Sequence, residues 1–292
     1  MIKLLALLAA VLAAAAAVQG TGASFTASAT NNGSAFATAA KFAPSVAITA
    51  PTVGSATNDT TPTISGTAGN ATGDSTTVGV KIYSGTSATG SAAQTRTATR
   101  SGTSWSTTAT ALAAGTYTAQ ATQTDTSGNT GTSAAVTFTI DTTSPTATKV
   151  LAVNKAGGTA GQIENGDTVT FTYSEPITAA SVLTGWDGSS RSVQVTFTNS
   201  SNSDTFSVAG TKLGTVDTNG NYVSANTTFA STMTRSADGA SIVVTLGTPQ
   251  NVRSTAVSGR NMSWSVAAGI ADLAGNLSVT GTWNETGNTV DF

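Results

Sequence analysis

The sequence predicts an all-β protein made of two tandem β-sandwich domains behind an N-terminal signal helix. Three observations predict it. Apolar residues alternate with polar ones in many short runs, which is the period of a strand with one buried and one wet face. A loop signature, Asp-x-x-Gly-Asn, occurs twice, as Asp125–Asn129 and Asp272–Asn276, each time just before a β-rich end. The chain opens with Met1-Ile2-Lys3 and an apolar Leu/Ala run from Leu4 to Val18, a length that suits the core of an export signal better than a membrane span.

Composition narrows the function classes. Charged residues make up 9% of the chain, against about 25% in an average soluble domain. Its polar surface is therefore built from Thr, Ser, Asn and Gly, and roughly one residue in five is Thr, whose branched Cβ favours strands. A net charge of −2 with 12 scattered Lys and Arg leaves no basic stripe for phosphates, so nucleic acid is not an expected partner. The chain has no Cys and no His. That excludes disulfides, thiolate zinc sites and every Ser-His-Asp or Cys-His catalytic arrangement. No second apolar run of about 20 residues follows the leader, so no membrane span is expected once it is removed.

The elements follow in order. Residues 1–23 form the signal peptide and 24–43 an extended polar segment. From Pro44 to 143, seven short strands are expected at sandwich spacing. They include Val46 and Ile48, Thr63–Gly66, the alternating Val78, Val80 and Ile82, Trp105 in Thr103–Thr108, Tyr117 with Ala119 and Ala121, and Val136, Phe138 and Ile140. Pro145 then favours an extended linker. Residues 144–292 form a second, longer domain with strands at Val169–Tyr173, Val193–Phe197, Ser241–Leu246 and Leu277–Trp283, and with extra strands expected between Gly210 and Ser236.

Two resemblances sharpen this outline. Leu112-Ala-Ala-Gly115-Thr-Tyr117, followed by Ala119, Ala121 and Asp125-x-x-Gly-Asn129, resembles the end of a bacterial immunoglobulin-like repeat. Ile140-Asp141-Thr-Thr-Ser-Pro145 resembles the linker between such repeats. The resemblance implies two immunoglobulin-like sandwiches; fibronectin type III shares the architecture and stays open as an alternative. Gly20-Thr21-Gly22-Ala23-Ser24-Phe25, with the polar stretch and Phe36 after it, resembles the leader of TasA- and camelysin-like exported proteins, which implies cleavage after Ala23.

No candidate chemistry stands out. Glu164 and Glu175 sit at turns without a His partner, and an enzyme is not expected. Asp125, Asn129 and Asp141 are the candidate calcium ligands, as hard oxygen donors near one end of the first domain; the competing reading is that Asp125 only accepts turn N–H groups. Trp186, flanked by glycine, is either a sugar-stacking residue or a core aromatic. The expected function is a secreted or cell-surface structural or adhesive protein, with cell-wall or host-surface glycans or proteins as partners. A carbohydrate- or wall-binding module and a biofilm-matrix fibre subunit are the alternatives.

Overall fold

The computed structural model describes residues 42–250, 257, 260–286 and 292. The expected leader, its cleavage site and nearly all of the 24–43 segment lie outside the described residues. The chain divides into two compact units, one of Met1–Ser55 with Thr60–Thr139 and one of Ala56–Asp59 with Ile140–Phe292.

Between residues 44 and 143, nine strands stand where seven were expected. They are β1 (Val46–Ala50), β2 (Ala56–Thr57), β3 (Thr63–Ala68), β4 (Asp74–Ser84), β5 (Gln94–Thr99), β6 (Ser104–Thr108), β7 (Gly115–Asp125), β8 (Thr130–Thr132) and β9 (Val136–Ile140). One sheet runs β1-β3-β6; the other runs β2-β9-β7-β4-β5, with β8 on β7. The strands not anticipated include β2 and β8, too short to show a period, and β5, whose Thr-rich sequence carries little apolar contrast. Ile64, Val78, Val80, Ile82, Trp105 and Phe138 fill the space between the sheets. Burying such side chains contributes about 1.5–3 kcal/mol each before entropy is counted. Tyr117 stacks on Phe138 with ring centroids 6.1 Å apart, and its hydroxyl donates to the Ala113 carbonyl at 3.0 Å, the tyrosine-corner arrangement.

The second unit is built from one continuous antiparallel sheet. Its strands are β10 (Ala147–Val153), β11 (Thr168–Tyr173), β12 (Arg191–Thr198), β13 (Thr205–Val208), β14 (Thr215–Asp217), β15 (Thr227–Arg235), β16 (Ser241–Gln250), β17 (Ser263–Val266) and β18 (Gly281–Asn284). They run in the order β10-β11-β16-β15-β12-β13-β14-β17-β18. The sheet folds over its own core. Phe171 on β11 meets Trp264 on β17 edge-on at 5.0 Å and Phe206 on β13 at 6.0 Å, although these strands are far apart in the sheet order. The two end strands also come back against each other. Trp264 is fully buried and its indole N–H donates to the Leu213 carbonyl at 2.6 Å, which satisfies the one polar atom on a large core side chain.

One local expectation is corrected. Among the described residues the last strand is Gly281–Asn284 rather than Leu277–Trp283; there Leu277 makes only an isolated bridge to Ala271, and both Leu277 and Val279 face solvent. A one-turn helix, α1 (Ala179–Val182), follows β11. Its Ala179 and Val182 are buried in the second core, so packing rather than intrinsic propensity holds so short a helix. Among the described residues, no helix is long and apolar enough to cross a membrane.

Candidate functional site

The two Asp-x-x-Gly-Asn loops adopt the same hydrogen-bonded form. In the first, one Asp125 carboxylate oxygen accepts the N–H groups of Ser127 at 2.8 Å and Asn129 at 2.9 Å, and the other accepts the Asn129 side-chain amide at 3.0 Å. In the second, Asp272 accepts from Ala274 at 2.8 Å, Gly275 at 2.6 Å and Asn276 at 2.8 Å, while the Asn276 amide reaches its other oxygen at 2.8 Å. In both, the Asp N–H donates to the Asn carbonyl at 3.0 Å. Gly128 and Gly275 carry φ values of 85° and 94°, a region glycine enters without steric cost. This explains the spacing: the Asp collects the amides of a tight turn, the Gly makes the turn possible, and the Asn closes the ring.

Of the three calcium candidates, Asp125 and Asn129 therefore share one loop and bond to each other. Asp141 lies in the other unit, where it joins Glu175 and Asp272; each offers a carboxylate oxygen, and these oxygens lie within 4.8 Å of one another. Such hard oxygen donors suit a cation of the calcium type. Burial, and then the negative charges of Asp141 and Asp272, hold the Glu175 carboxyl above its usual range. Sequence reasoning placed Glu175 in a solvated turn. Nothing in its own neighbourhood signals the grouping, because the three acids come from separate stretches of chain.

The remaining candidates are consumed by the fold. Trp186 is 3% exposed and its indole N–H donates to the Ser189 carbonyl at 2.6 Å, so its ring packs in the core and presents no sugar platform. The Glu164 carboxylate accepts the Thr159 N–H at 2.8 Å and stands 3.8 Å from the Lys155 ammonium.

Comparison with known proteins finds a family match over part of the chain. Residues 49–142 match the model of a bacterial Ig-like domain, in agreement with the two facing sheets and tyrosine corner there. No curated protein sequence matches the chain. Among solved structures, it is similar to the fibronectin(III)-like modules of Clostridium thermocellum CbhA, at 14% identity and a TM-score of 0.33, covering 82% of this chain and 92% of that one. It is also similar to the C-terminal domain of the Streptococcus pyogenes antigen I/II-family protein AspA, at 10% identity and a TM-score of 0.27, covering 82% and 98%. A third similarity is to dimeric latent PorU from Porphyromonas gingivalis, at 10% identity and a TM-score of 0.24, covering 83% of this chain and 24% of that one.

Proposed function

We propose that the chain is a non-enzymatic display protein exported from the cell, with Ig-like β-domains that carry adhesive or structural contacts on their loops and strand edges. The observation that carries this reading is the bacterial Ig-like match over residues 49–142, on a scaffold whose candidate reactive side chains serve the fold itself. A chain without His or Cys lacks the usual general bases and nucleophile partners. Its surface of Thr and Ser hydroxyls suits contact with hydroxyl-rich or neutral partners, and cell-wall or host-surface glycans and proteins are the expected ones. Pull-downs of the full chain on peptidoglycan, cellulose, chitin and host-cell surface protein test this. Retention on one of these supports a contact role; hydrolysis of any of them would overturn the non-enzymatic reading.

Calcium is a second reading, and the grouping of Asp141, Glu175 and Asp272 favours it. Isothermal titration of calcium into the full chain, beside the E175Q variant, tests it. Heat that is lost in E175Q supports a bound ion; a flat titration of the unsubstituted chain rejects one.

A further inference from the structure

We propose that β5 is a self-association edge on which a second copy of this chain pairs antiparallel, joining the two six-stranded sheets across a two-fold axis at Thr97. Among the described residues, strand β5 ends its sheet and pairs only with β4. Its register runs without a break from Thr77↔Thr99 to Ile82↔Gln94, so no bulge twists it out of line. Just beyond it, the Arg100 N–H donates to the Thr76 carbonyl at 2.9 Å. The alternation of an antiparallel ladder then turns Ala98, Arg96 and Gln94 toward β4, and the main-chain N–H and C=O groups of Thr95, Thr97 and Thr99 outward. All three threonines are exposed, and among the described residues no main-chain group meets their outward side. A regular open edge of this kind is a template for another strand.

Other described edges are shorter, irregular or already partly bonded. Strand β1 has a register shift between Ile48 and Ala50 and runs into Pro51. Strand β2 has two residues, and Ser104, at the head of β6, donates its N–H to the Ser101 carbonyl at 3.0 Å. In the second unit β10 and β18 lie against each other. The sequence of β5 also favours pairing with itself. Centred on Thr97, the two-fold register sets Thr95 opposite Thr99 of the second copy, Thr97 opposite its own equivalent, and Thr99 opposite Thr95. Each of these pairs has outward-facing groups on both strands and exchanges two main-chain hydrogen bonds, with threonines adjacent across the new ladder. Arg96, the only charge on β5, falls opposite Ala98 of the second copy, so the two guanidiniums stay apart. A net charge of −2 on the chain adds little repulsion between copies.

Sedimentation velocity of the full chain over a concentration series tests the proposal. The unsubstituted chain is expected to shift from monomer to dimer as concentration rises. T97P removes the central outward N–H but no bond to β4, a position that tolerates proline at a sheet edge; T97K sets two like charges face to face at the axis. Both variants are expected to keep the parent's circular dichroism and to sediment as monomers throughout. A parent chain that stays monomeric at its highest soluble concentration, or a dimer that survives both substitutions, would overturn the proposal.

Discussion

The side-chain amide of Asn276 donates to the main-chain carbonyl of Asp141 at 2.8 Å, across 135 residues of sequence. The same amide holds the Asp272 carboxylate, so one buried group ties the loop both to itself and to the chain entering the second unit. Asn276→Ala leaves the Asp141 carbonyl and a carboxylate oxygen short of a donor, which costs about 1–3 kcal/mol. Asn276→Asp is expected to cost more, because it sets a second carboxylate beside Asp272. Urea denaturation followed by tryptophan fluorescence measures both; equal stability of all three chains would contradict the role given to Asn276.

Two tyrosines are expected to respond in opposite ways to loss of the hydroxyl. Tyr117 donates to Ala113, so Tyr117→Phe removes a hydrogen bond worth roughly 1 kcal/mol. Among the described residues the buried Tyr173 hydroxyl has no hydrogen-bond partner, and burial pushes its pKa up. Tyr173→Phe therefore relieves an unsatisfied polar group and raises the melting temperature, or leaves it unchanged. A loss of stability in Tyr173→Phe would show that the hydroxyl has a partner after all.

Glu175 gives a pH signature. Its folded pKa lies above the ordinary 4.5, through burial first and then through Asp141 and Asp272. In the window above 4.5 the folded state binds more protons than the unfolded one, so this group's contribution falls as pH rises through the window. Asp167, raised chiefly by burial, acts in the same direction. Glu175→Gln removes the Glu175 share: the variant is expected to match the parent at low pH and to exceed it in stability near neutrality. Melting curves of both chains between acid and neutral pH read this directly; a variant less stable than the parent near neutrality would contradict it.

Gly66 is fixed by the close approach of a neighbouring strand. A Cβ there would lie 1.8 Å from the Ala47 carbonyl oxygen, on the β1–β3 ladder where the register slips. Gly66→Ala must push β1 away, and a cost of roughly 3 kcal/mol is expected. A change below about 0.5 kcal/mol, the level typical of neutral surface sites, would show that the strands separate freely.

Strands whose inward positions are large and apolar could be read from the sequence. Val78, Val80 and Ile82, or Val169, Phe171 and Tyr173, announce both the strand and its buried face. Strand β5 could not be read this way, since Ala98 is its one fully buried side chain and threonine fills its other face. Helix α1 escaped because a single turn has no period. The Asp125 and Asp272 loops were legible since the bonds that close each turn lie within five consecutive residues. The meeting of Asp141 with Glu175 and Asp272 was not, because it depends on how one sheet folds over.

Export is the premise on which the display reading stands, and the mature N-terminus tests it most directly. N-terminal sequencing of the protein recovered from the surface or medium of intact cells is predicted to begin at Ser24. A chain found only inside the cell with Met1 in place would contradict the account.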